Sequence, residues 1–205
     1  MPDLAMPPVW FRLPPGFHDV APADRTTLDA MACALGSDAG QQELGRLLDG
    51  LDQLAELGVL HTAIGLHPDE AIGICASLFS LTARLSGDPN PRLSTARTAM
   101  EISRSPVWNA STCRVIDLPS TLPCYLVAGT LALPHVEQRV FQARIATSHA
   151  SGHHTLVLDL SSAATQHHEA YTDILEAVVH TLTFTDPHPA PPGKPSTSRI
   201  LEVLL

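Results

Sequence analysis

The chain has 205 residues, 44% hydrophobic and only 16% charged, which fits a folded globular protein with one sizeable core or two small ones and excludes disorder of the whole chain. Its formal net charge of -9 opposes general binding to nucleic-acid phosphates or anionic membrane surfaces. The cysteines Cys33, Cys75, Cys113 and Cys124 form no C-x-x-C pair and sit in apolar neighbourhoods, so they read as buried free thiols of a reducing compartment.

The start, "MPDLAMPPVWFRLPP", has neither the basic stretch nor the long apolar run of a secretory signal, and prolines bias it towards an extended chain over residues 1–15. No stretch approaches the ~20 uninterrupted apolar residues of a membrane span, and a cytoplasmic location is expected. "GFHDV" follows as a short edge strand. Leu28, Met31, Ala32 and Leu35 then repeat at helical spacing between a capping Asp24 and a terminating Gly36. "QQELGRLLDGLDQLAELG" carries Leu44, Leu47, Leu48, Leu51, Leu54 and Leu57 on one stripe and its charges elsewhere, a second helix ended by Gly58.

After Gly58 the period changes to 2: Leu60, Thr62, Ile64 and Leu66 alternate with Val59, His61, Ala63 and Gly65. "HPDE" at 67–70 reads as the turn to a returning strand that reaches about Arg84. Asn90 and Pro91 read as N-cap and first position of a short helix through Ala96 and Met100. "CRVIDLP" and "PCYLVAGTLAL" are two further strands, and "RVFQARIATS" with "TLVLDLSS" makes a hairpin. In "QHHEAYTDILEAVVHTL", Tyr171, Ile174, Leu175, Val178, Val179 and Leu182 share one helical face.

Strands that follow strands imply an antiparallel sheet, and helices before, within and after it can cover both faces. The expected class is therefore α+β, a largely antiparallel sheet covered by helices in an α/β/α sandwich. One domain is expected over 16–185, with a Pro-rich tail at 186–205 whose apolar end, "RILEVLL", can dock on the domain or on a partner.

Five of the eleven histidines, His149, His153, His154, His167 and His168, crowd into 148–168. If Ser148 faces His153, then Phe141, Ala143 and Ile145 lie opposite Leu160, Leu158 and Leu156 on a wholly apolar face, and the other face reads as solvated. His153 and His154, consecutive on a strand, point to opposite sides of the sheet. His167 and His168 likewise do not share a helical face. Only His149 and His153, at the hairpin tip, remain as metal candidates, and no cofactor is expected. The chain contains no H-E-x-x-H, G-x-S-x-G, G-x-G-x-x-G, Walker or EF-hand pattern.

"FRLPPGFHDV", the leucine-striped helix ending in "ELGVLHTAIGLH", "AIGICASLFSLTAR", "CRVIDLPSTLPCYLV" and the final "LVLDLSS" strand with its helix resemble small actinobacterial proteins of the Mog1/PsbP-like α/β/α sandwich type. The resemblance implies an accessory or protein-binding role and brings no catalytic residues with it. The leading expectation is a non-catalytic cytoplasmic accessory protein that binds another protein or itself, with no nucleic acid partner. The alternatives are a small-molecule-binding protein or enzyme of specialised metabolism, with a cleft between sheet and helix and His61, His67, His149 or His153 as acid/base, and a histidine-bound zinc or nickel site.

Overall fold

The computed structural model describes residues 6–20, 59–69, 73–131 and 139–187. The helices expected at 23–35 and 41–58, and the tail from 188 onward, lie outside the described residues. Seven strands form one sheet: β1 (Phe17–Asp19), β2 (Val59–Asp69), β3 (Gly73–Leu85), β4 (Trp108–Val115), β5 (Cys124–Leu131), β6 (Val140–Ser148) and β7 (His154–Ser162). Their spatial order is β1-β2-β3-β7-β6-β5-β4, and every neighbouring pair is antiparallel.

Two helices pack on this sheet, α1 (Pro91–Ser103) and α2 (His168–His180), the latter preceded by a 3-10 turn, Thr165–His167. Ala99 and Ile102 of α1 pack with Val127, Ala146 and Val157. Tyr171, Leu175, Val178 and Val179 of α2 pack with Leu126, Ile145 and Leu158, one residue out of step on the same three strands. Successive strand residues point to opposite faces, so the helices lie on opposite sides of the sheet. The protein is thus α+β, as the strand pattern requires.

The α2 face holds the larger core. Leu156, Leu158 and Leu160 of β7 all project into it, two residues apart, and Leu158, Leu160, Leu175 and Ile145 are fully buried. Each such side chain stabilises the fold by about 1.5–3 kcal/mol through burial alone. The extended N-terminal stretch closes this side: Trp10 pairs its backbone with Thr183, and Met6, Val9, Phe11 and Leu13 pack against the core.

Helix α1 begins where the sequence places it. The Asn90 side chain accepts hydrogen bonds from the backbone N–H groups of Arg92 (3.0 Å) and Leu93 (3.3 Å), and Pro91 occupies the first turn, where no donor is missed. Its first turns meet the sheet through hydroxyls: Ser94 lies 2.6 Å from Thr155, and Thr95 donates to Ser148 at 2.9 Å. These four buried hydroxyls are therefore satisfied within the interface.

Four local expectations are corrected. The β6–β7 hairpin is displaced by two residues, pairing Ile145 with Leu158, Arg144 with Asp159 and Ser148 with Thr155. A shift of two leaves every side chain on its expected face. It is fixed by the loop, where Gly152 has φ +74 and a Cβ would fall 1.9 Å from the Pro89 carbonyl oxygen. The face read as solvated is covered by α1, and it joins Arg144 Nε to Asp159 Oδ1 at 2.6 Å.

"HPD" belongs to strand β2, with His67 opposite Cys75 and Asp69 opposite Gly73, so the turn comes after Asp69. Pro68 is tolerated because its missing N–H faces away from β3, on the side where Leu66 bonds Gly16 and β1 has already ended. Fourth, Cys113 is exposed on β4, whereas Cys75 and Cys124 are buried; Cys33 lies outside the described residues.

Candidate functional site

Strand alternation and the start of α2 bring a polar cluster together at one end of the α2 face. His67 and Asp69 of β2 share that face with Cys75 and Ser77 of β3, since paired residues of neighbouring strands project to the same side. Ser162, the last residue of β7, joins them, and the 3-10 turn that follows at once carries Gln166 and His167 over the hairpin.

The shortest contact is between His167 Nε2 and Asp69 Oδ2, 2.6 Å apart. Asp69 also accepts from Gln166 Nε2 at 3.1 Å. The Asp69 side chain is only 4% exposed and that of His167 38%, so a buried carboxylate is met by donors from the half-exposed turn. A carboxylate buried without such partners would cost several kcal/mol.

Beside this pair, His67 Nε2 lies 2.8 Å from Ser77 Oγ. Gly65 makes that bond possible: a Cβ there would fall 2.5 Å from Ser77 Oγ and 2.6 Å from His67 Nε2. Burial lowers the pKa of His67 from the ordinary imidazole range, and the nearby His167 lowers it further. Its neutral form is therefore favoured.

Tyr171, a turn into α2, links the two halves. Its hydroxyl is 3.3 Å from Cys75 Sγ and 3.1 Å from Ser162 Oγ, while its ring stands edge-on to both His67 and His167. Ser162 is anchored in turn by the Ala76 carbonyl (2.7 Å) and the Ala164 N–H (3.1 Å). Burial, then the bond to Cys75, raises the Tyr171 pKa well above the usual phenol range, so the phenol stays protonated.

Among the described residues, Asp69, Cys75 and His167 are the group able to hold a metal ion: one ligand atom from each lies within 4.8 Å of the others. Local sequence pattern marks Asp69 as a turn residue and His167 as a helix-start histidine, and so misses both. The signal that could find them is that each falls on a core-facing row: Asp69 lies two residues beyond His67 and four beyond Gly65, and His167 one turn before Tyr171.

The other sequence candidates lie outside this cluster. His149 sits at the hairpin tip with Nδ1 2.8 Å from Ser151 Oγ and its ring edge-on to Phe184. Burial, followed by His154 and His153, lowers its pKa. His153 is exposed, and His154 is buried at the end of the α2 face, opposite Leu85. His61 lies 3.2 Å from Asp19 and edge-on to Phe11, far along β2 from the polar end. Of the four acid/base candidates, only His67 belongs to the cluster.

No family model matches the chain, and no curated protein does. Among solved structures, it is similar to LpqN of Mycobacterium tuberculosis, a protein involved in cell envelope biogenesis, with a TM-score of 0.51 and 12% identity over 89% of this chain and 86% of that one. At that identity the likeness is one of fold. Among the described residues no helix is long and apolar enough to cross a membrane.

Proposed function

We propose that the protein is a non-catalytic cytoplasmic accessory protein that binds an extended segment of another protein along the edge of strand β4. The observation that carries this reading is the state of that edge. Strand β4 ends the sheet and, among the described residues, pairs only with β5, and Asn109 through Val115 are all exposed. Val115 is 60% exposed. Soluble proteins usually protect such an edge with charges, proline or a covering segment. Here the one charge on the strand, Arg114, is held by Glu176 of α2.

Alternation along β4 fixes which groups face outward. The Ile116 N–H bonds the Cys124 carbonyl, so Ser111, Cys113 and Val115 turn their N–H and C=O groups away from β5. That is the arrangement an added strand requires. The shared fold with a cell-envelope biogenesis protein is compatible with an accessory role, and kinship with Mog1/PsbP-like accessory proteins, which rests on the sequence resemblance, belongs to the same reading. Free cysteines Cys75, Cys113 and Cys124 support a reducing compartment.

The test is a photo-crosslinking residue at Ser111, installed in the producing cells, with Glu169 on α2 as the comparison position. The expected result is one defined adduct with another protein from Ser111 only, lost when Cys113→Pro removes an outward donor. Equal adducts from both positions, or none from Ser111, overturn the reading.

A second reading, a small-molecule site at the polar end of the α2 face, is favoured by the neutral His67 and its hydroxyl partner Ser77. It requires ligand-dependent shifts of the His67 ring resonances in a metabolite screen, and their absence removes it.

A further inference from the structure

We infer that Asp69, Cys75 and His167 form a binding site for a divalent transition-metal ion of the zinc class. The three ligands come from three separate elements: the end of β2, the start of β3 and the 3-10 turn before α2. Their ligand atoms lie within 4.8 Å of one another. A tetrahedral zinc ion, with bonds of about 2.0–2.3 Å, sets its ligands roughly 3–4 Å apart. Small side-chain rotations therefore admit the ion, the main one parting His167 Nε2 from Asp69 Oδ2, now 2.6 Å apart.

The donor set selects the metal. One thiol, one imidazole and one carboxylate suit zinc, cobalt or nickel, whereas magnesium and calcium favour oxygen ligands throughout. On binding, the Cys75 thiol proton and the proton between His167 and Asp69 leave Sγ and Nε2 as the ion takes their place.

The surroundings are those of a supported centre. Gln166 holds Asp69 at 3.1 Å, and the Tyr171 hydroxyl bridges Cys75 Sγ at 3.3 Å and Ser162 Oγ at 3.1 Å. Groups of this kind orient the ligands and raise the affinity for the metal. His67 Nε2 is occupied by Ser77, so the fourth position falls to water or an added ligand. Asp69 and Cys75 are buried while His167 is half exposed, which gives the ion access from the solvent side of the turn.

The experiment uses the full chain with Cys33→Ser and Cys113→Ser, so that neither of those thiols contributes. Cobalt(II) is titrated in and zinc(II) is used to displace it. Expected are one equivalent of cobalt, a thiolate-to-cobalt charge-transfer band in the near ultraviolet, and displacement by zinc. Cys75→Ser should abolish the band, and His167→Gln, at a half-exposed position that leaves the core intact, should weaken zinc binding by about tenfold or more. His149→Gln with His153→Gln should leave both unchanged. Binding below one equivalent, a charge-transfer band that survives Cys75→Ser, or affinity that follows His149 and His153 overturns the inference.

Discussion

His167 Nε2 lies 2.6 Å from Asp69 Oδ2, which ties the start of α2 to the far end of the β2–β3 hairpin across 98 positions of sequence. Asp69 is buried and takes two of its partners from this turn. In metal-free buffer, His167→Ala should cost roughly 1–2 kcal/mol, because Gln166 remains but the shorter bond is lost. Adding Asp69→Asn should return part of that loss, as the buried charge then disappears with its partner. Denaturation midpoints of the two single variants and the double variant check this.

The hairpin tip should respond to acid. His149 is held neutral by burial and by His154 and His153, so its folded pKa lies below the ordinary value of roughly 6.5 that applies when unfolded. Above that ordinary value its contribution is fully present. As pH falls through the window down to the folded pKa, the unfolded chain binds the extra proton and stability drops. Nuclear magnetic resonance titration should place His149 below the ordinary imidazole value, and His149→Gln should flatten stability between about pH 7 and about pH 5. A His149 that titrates at or above the ordinary imidazole value contradicts this.

Gly152 fixes the β6–β7 register. Its φ of +74 strains any side-chain-bearing residue, and a Cβ at this position would sit only 1.9 Å from the Pro89 carbonyl oxygen. Gly152→Ala should therefore destabilise the fold by on the order of 2–4 kcal/mol through backbone strain and collision. Gly87, where a Cβ would meet nothing within 4 Å, is the matched control and should tolerate alanine. Equal melting curves for the two variants would refute the assignment.

The thiols should separate by reactivity in a Cys33→Ser background. Cys113 is exposed, whereas Cys124 is buried and its pKa is pushed up to about 12 by burial. Since the thiolate is the attacking species, an alkylating reagent should label Cys113 in a fast phase and Cys124 only on unfolding. Cys113→Ser should remove the fast phase, as peptide mass spectrometry of timed samples will show.

Much of the framework is legible in the sequence because it rests on local physics. Asn90 and Pro91 announce α1, and the period-2 rows of β2, β3 and β7 assign each residue to its face. The two-residue hairpin slip is not legible, since a shift of two preserves the face pattern and the deciding contact, Gly152 against Pro89, comes from another loop. Cys113 departs from its expected burial because β4 looks like its neighbours in composition, and only its edge position exposes it. The polar cluster is hidden for the same kind of reason. Asp69 and His167 meet through the topology that sets the end of β7 beside the β2–β3 hairpin, which no local period encodes.

The most direct measurement of the central claim is the affinity of the crosslinked partner, once identified, for the wild-type chain and for Ser111→Pro. The proline removes one outward N–H of β4 and leaves the β5 ladder whole. An edge-binding accessory protein should lose about tenfold or more in affinity by calorimetry while its denaturation midpoint stays unchanged. An unchanged affinity would mean that the partner does not bind along β4.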